Sequence, residues 1–172
     1  MSTRADVIDG PDGPSVLRVV PMHSSMATAL DEFHERLSPD TVRNRFFTFH
    51  PHLSPAELER FTTVDHQDRD AFVVFADQDI VAVARLDRLG PGSSAAEVAF
   101  VVADGWQHRG LGARLLRVLV DRAAQLGITR LEADTLASNR AMQAVFRQAG
   151  LPVSTSFHDG VVHVTIEVAP PS

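Results

Sequence analysis

Apolar and polar positions change period several times along the chain, and each change marks an element. Val16 to Val20 reads as a strand, after which Met26, Leu30, Phe33 and Leu37 recur at helical spacing as a buried stripe. Ser38-Pro39 and Ser54-Pro55-Ala56-Glu57 each set a serine cap before a first-turn proline, the second completing a capping box. Two further short helices are predicted to begin there. Ala71 to Ala76 and Ile80 to Leu86 are valine-rich and joined across Asp77-Gln78-Asp79, which predicts an antiparallel hairpin extended by a strand over Glu97 to Ala103. Leu115, Leu116, Leu119, Ala123 and Leu126 share one helix face, with Arg114, Arg117, Asp121 and Gln125 on the other, and Gly127 ends that helix. Leu131 to Leu136 is a strand. Ser138 or Asn139 caps a last helix whose Met142, Val145, Phe146 and Ala149 point inward, before closing strands near Leu151 to Phe157 and Val161 to Val168.

Composition narrows the reading. The 172 residues, 44% hydrophobic and 22% charged, suit one domain over 15–169 and neither a disordered nor a membrane chain. Asp9-Gly10-Pro11-Asp12-Gly13-Pro14 is a cluster of turn formers, so 1–14 is expected to be a flexible tail, as is 170–172. A net charge of -6 argues against a general nucleic-acid binder and fits a cationic substrate or simply an acidic surface. With no cysteine, no signal-peptide pattern and no bilayer-length apolar run, a cytoplasmic location without membrane association is expected.

Candidate chemistry gathers where the strand Glu97 to Val102 runs into Gln107-His108-Arg109-Gly110-Leu111-Gly112-Ala113-Arg114. Two glycines let backbone approach a ligand, and the orphan N–H groups of the first helical turn face an anion. A nucleotide-like diphosphate fits; an ordinary helix cap with solvent-facing arginines is the plainer account. A dinucleotide fingerprint would need a third glycine in Gly-x-Gly-x-x-Gly order, which is missing.

The order strand, Gln-x-x-Gly-x-Gly turn, helix, strand and Asn-led helix resembles the Gcn5-related N-acetyltransferase family. Gln107 to Gly112 matches its acyl-CoA pyrophosphate motif, and Asn139-Arg140-Ala141-Met142-Gln143-Ala144-Val145-Phe146 its following helix. The resemblance implies an α/β (α+β) fold with a mixed, mostly antiparallel sheet flanked by helices. It implies acetyl-CoA as cosubstrate. The backbone of Phe100, Val101 and Val102 would pair with the pantetheine arm, and the N–H groups around His108, Arg109, Gly110, Leu111, Gly112 and Ala113 would hold the pyrophosphate. Arg109 and Arg114 would add charge and Gln107 would steady the turn. Asn139 would sit beside the pantetheine arm or serve only as a cap, and Phe146 would lie by the sulfur or in the core. Leu37-Ser38-Pro39, Arg45-Phe46-Phe47, Leu53-Ser54 and Val64-Asp65-His66-Gln67-Asp68-Arg69 resemble the catalytic domain of bacterial Pat-type protein lysine acetyltransferases. Some of those carry a further regulatory or synthetase-like domain, for which this chain has no room.

Transfer to a lysine must first remove a proton from an amine of pKa about 10.4, a cost of about 4.6 kcal/mol at pH 7. Glu97 interrupts an apolar strand and occupies the place of the Pat-like general base; burial would raise its pKa toward neutrality. A solvent-facing strand-end glutamate is the alternative. Many family members protonate the departing thiolate with a tyrosine, but this chain has none and Phe146 stands at that position. Water or Ser138 is then left as donor to a thiolate of pKa about 8.5, with N–H groups near Val101 and Val102 facing the oxyanion. Asp65 and His66 precede a strand and are candidates to line an acceptor cleft, or form a solvated loop. His50-Pro51-His52 makes a poor ligand set, so no metal is expected. The resulting expectation is acetyl transfer from acetyl-CoA to a primary amine, a protein lysine or a small molecule. A non-catalytic acyl-CoA-binding or sensing module and an oligomerising scaffold, with a homodimer through the last strands, are the other readings.

Overall fold

A long valine- and alanine-rich run needs cover on both faces, and the hairpin of β3 (Arg69–Ala76) and β4 (Asp79–Arg88) has it. Both strands are buried almost throughout and are joined by a tight turn at Asp77, φ 54°. They lie inside an eight-stranded sheet ordered β1-β2-β3-β4-β5-β6-β8-β7 in a computed structural model that describes residues 6–169. The other strands are β1 (Asp6–Gly10), β2 (Gly13–Pro21), β5 (Ala95–Val102), β6 (Arg130–Leu136), β7 (Val153–His158) and β8 (Val161–Glu167). The sheet is mixed and mostly antiparallel, with β5 and β6 its parallel pair.

Helices cover both faces. On one, α4 (Leu111–Gln125) and α5 (Arg140–Arg147) pack Leu115, Leu119 and Phe146 onto Leu86, Val98, Leu131 and Ile166. On the other, α1 (Ala27–Glu35) lays Leu30 and Phe33 and α3 (Pro55–Thr62) lays Leu58 and Phe61 against the cluster of Ala71, Val73 and Val83, with α2 (Pro39–Phe46) beside them. The caps are as the sequence predicts. The Ser38 side chain accepts from the Thr41 amide, and at Ser54 the Glu57 amide donates to Ser54 Oγ at 3.2 Å while the Ser54 amide donates to Glu57 Oε2 at 2.8 Å.

The segment to residue 14 is not a loose tail over its described part. Asp6 to Gly10 pairs with Gly13 to Leu17, so the turn formers at Pro11 and Asp12 close a hairpin. Backbone groups tie the strand down: besides its ladder with β2, Arg109 Nη1 donates to the Asp9 carbonyl at 2.9 Å. Gly10 is required there, because a Cβ would stand 2.6 Å from the Trp106 ring. Residues 1–5 and 170–172 lie outside the described residues.

Candidate active site

β5 and β6 run together for only three residue pairs, Ala95 with Arg130, Ala96 with Leu131 and Glu97 with Glu132, and then part. A cleft of about 650 Å³ opens in the gap, walled by Val98 to Val102 on one side and Ala133, Asp134 and Thr135 on the other. Beyond Glu97 the β6-facing edge of β5 therefore has no strand partner, and its N–H and C=O groups point at the cleft. Phe100, Val101 and Val102 lie on that edge and line the cleft.

The far end of the cleft is closed by the turn into α4. His108 and Gly110 both take left-handed backbone, φ 59° and 80°, and Gly110 is the N-cap of α4. The first-turn amides of α4 then point into the cleft with the helix dipole behind them, and His108, Gly110, Leu111, Gly112 and Ala113 line it. The two glycines serve different ends. Gly110 has open space around it and is needed for its conformation, whereas a Cβ on Gly112 would meet Val145 of α5 at 3.2 Å. Gln107 lines the cleft too, its Nε2 donating to the Val102 carbonyl and to Thr41 Oγ1, both at 3.0 Å.

The two arginines differ from expectation. Arg109 does not line the cleft, since its guanidinium is spent on the carbonyls of Gly105 at 3.0 Å and Asp9 at 2.9 Å. Arg114, half-buried on the first turn of α4, is not among the cleft-lining residues either. The opposite wall is α5. Asn139 caps it by accepting from the Met142 amide at 3.2 Å and also lines the cleft. Phe146 is buried against Phe100, ring centroids 5.8 Å apart, with its edge at the cleft. Ser138 is exposed and outside the lining; Thr135, which sequence reasoning missed, is the buried hydroxyl on the β6 wall.

Glu97 stands at the fork where the strands separate and lines the cleft. It is exposed, so the burial expected to raise its pKa is not present. On β6, two positions beyond its register partner Glu132, Asp134 also lines the cleft and bonds His163 at 2.7 Å, oxygen to Nδ1. That acid was missed because it sits in a strand whose alternation already explained it as solvent-facing.

Asp65 and His66 do not line the cleft. Asp65 Oδ1 accepts the amides of Gln67, Asp68 and Arg69, each at 2.9 Å, and these bonds hold its carboxyl below the ordinary range. His66 bonds buried Asp70 at 2.7 Å, and Asp70 in turn takes Arg122 of α4 at 2.6 Å. Both residues build the loop that docks β3 on α4. The end of α2 lines the cleft instead, through Thr41, Asn44, Arg45, Phe46 and Phe47. The available signal was an arginine next to two phenylalanines at the end of a short helix.

A clasp fixes that helix to the turn before α4. Asp104 accepts from the Ser38 hydroxyl at 2.5 Å, the Ser38 amide at 2.9 Å and the Thr41 hydroxyl at 2.9 Å. Among the described residues no group of three His, Asp or Glu side chains is placed to hold a metal ion, and no helix is long and apolar enough to cross a membrane.

The profile of the acetyltransferase (GNAT) family matches residues 30–151. Acetyltransferase Pat of Mycolicibacterium smegmatis is 33% identical over 135 residues, covering 77% of this chain but 40% of the relative, so the chain spans less than half of that protein. The GNAT domain of S. lividans PAT superposes with a TM-score of 0.84 at 34% identity, covering 95% of this chain and 96% of that domain. The yncA protein of Salmonella typhimurium, solved with its cofactor acetyl-CoA, shares the fold with a TM-score of 0.69 at 14% identity, covering 88% and 92%.

Proposed function

The chain belongs to the acetyltransferase (GNAT) family, and from that premise we propose that it transfers an acetyl group from acetyl-CoA directly to a primary amine, protein lysine included. The observation that carries this reading is the unpaired edge of β5 ending at the N-terminus of α4. An extended chain of amides ending in a diphosphate complements that combination: the edge offers strand-like hydrogen bonds and the helix end offers amides for the anion. The residues for these contacts are Phe100 to Val102, His108, Gly110 to Ala113 and Asn139.

Glu97 takes the proton of the incoming ammonium, directly or through one water, and the freed amine forms its bond to the thioester carbonyl carbon. N–H groups on the bare edge near Val101 and Val102 receive the oxyanion. When the C–S bond breaks, the nitrogen gives its second proton to water and the thiolate, of pKa about 8.5, takes one from water, consistent with Phe146 where a phenol would otherwise stand. An exposed base suits this scheme, because the proton must pass on to solvent.

Titration calorimetry with acetyl-CoA, followed by thiol release against a panel of amines, tests the reading. Binding with turnover supports it. Binding without turnover on any amine would leave an acyl-CoA-binding module, the reading that Phe146 favours; no binding by folded protein would end both.

A further inference from the structure

Guanidiniums crowd the floor beside Glu97. Strand register sets Arg69, Asp87 and Glu97 in one row across β3, β4 and β5, and Ala71, Arg85 and Ala99 in the next. Arg69 is matched to Asp87 at 3.4 Å. Arg85 is buried between the small alanines, stacks 4.9 Å from the Phe61 ring and donates to the Phe61 carbonyl at 2.7 Å, but its Nη2 has no partner. Crowding is felt there: burial first, then Arg45, Arg69 and Arg60, push Arg85 down to about 10 against the single pull of Asp87. Four guanidiniums thus share this neighbourhood; of the carboxylates around it, Asp87 is matched to Arg69, Asp65 is held by its own loop amides, and Glu132 stands beside Glu97 with Arg130 as its partner.

Arg45 is the one of these four that lines the cleft. It lies on α2 with its guanidinium 4.9 Å over the Phe46 ring, and among the described residues it makes no hydrogen bond or ion pair. Glu97 and Asp87 act on it only through space. A half-buried cation without a direct partner is costly, and an arriving anion removes the cost. Across the cleft the sign reverses, with Asp134 exposed on β6.

Building on the transfer reading above, we propose that the acceptor bears a carboxylate beside its reacting amine, and that Arg45 binds this carboxylate while the amine faces Glu97 and Asp134. A plain alkylamine would leave Arg45 without a counter-ion; an acceptor with both signs matches the two walls. The same chemistry occurs in a free amino acid and in a peptide lysine next to an acidic residue.

The test measures thiol release for two matched pairs: lysine against cadaverine, and a lysine peptide with aspartate beside the lysine against the same peptide with asparagine. In at least one pair kcat/KM should favour the carboxylate by about tenfold or more, the worth of a charge-assisted bond. The responding pair identifies the source. Arg45→Gln should bring that ratio near one and Arg45→Lys should keep part of it, the change lying in acceptor KM, while acetyl-CoA binding by calorimetry reports that the variants are folded. A wild-type ratio near one in both pairs, or a ratio unchanged in Arg45→Gln, overturns the proposal. If acetyl-CoA binds and no acceptor of either pair or of the wider amine panel reacts, the transfer reading falls and this proposal with it.

Discussion

Replacing Asp104 by alanine unties α2 from the turn that opens α4. The carboxylate loses three donors, at 2.5 Å and 2.9 Å from Ser38 and 2.9 Å from Thr41. Bonds to a charged acceptor contribute about 1.5–3 kcal/mol each where water is excluded, which sets a ceiling of about 4.5–9 kcal/mol. Asp104 is exposed, however, so water replaces most of what Ser38 loses, and buried Thr41 is left short. The net loss is expected at about 1–2 kcal/mol, or about 2–8 °C in Tm for a chain of this size. The pH dependence follows. Burial alone would raise the Asp104 carboxyl, but hydrogen bonds from Ser38 and Thr41 outweigh it and hold the group below its ordinary range. A carboxyl lowered in the folded state contributes stability above its unfolded pKa and loses it as pH falls through the folded value. Denaturant unfolding of wild type and Asp104→Ala should therefore differ fully at neutral pH and converge below about pH 4. Because α2 carries Arg45, acceptor KM should rise in the same variant. A stability difference under about 0.5 kcal/mol at neutral pH, or one that widens toward acid, would refute the argument.

Glu97→Gln should lower kcat by about 10²–10⁴ with acetyl-CoA affinity retained in calorimetry; a retained rate removes Glu97 from the proton path. Gly110→Ala places a Cβ on left-handed backbone in open space, so denaturant unfolding should show a loss of about 1–2 kcal/mol, with weaker acetyl-CoA binding as the cap distorts. Asp70→Ala strips the partner from Arg122 and should cost about 3 kcal/mol or more, yet leave acceptor KM unchanged in the surviving fold; a selective KM effect would return the His66 loop to the acceptor site.

Local rules made most elements legible. Ser38-Pro39 and the Ser54 to Glu57 box name their own helix starts, the valine runs around Asp77 fold back in the only way so short a turn permits, and Gly127 ends α4. β1 was hidden because it runs into the turn formers Gly10-Pro11-Asp12-Gly13-Pro14, while its ladder with β2 and the bond from Arg109 hold it in the sheet. The same contact explains the mistaken role for Arg109: spacing puts it next to the phosphate-type turn, but not which way its side chain goes. Glu97 and the Gly110 turn were visible as exceptions to their surroundings. Arg45 was not, because its importance comes from acting through space on Glu97, 52 positions away in the chain, and Asp65 misled because a loop-building carboxylate looks in sequence like a binding one.

The early parting of β5 and β6 also has a mechanical side. Strands β1 to β5 and strands β6 to β8 form two leaves stitched together by three residue pairs and the α4 crossover. A guest lying in the fork spans both leaves and supplies the missing stitches. Slow amide exchange should accordingly spread from β5 into β6 and β8 when the fork is filled, so that occupancy by one cosubstrate stiffens the shelf on which the other must land.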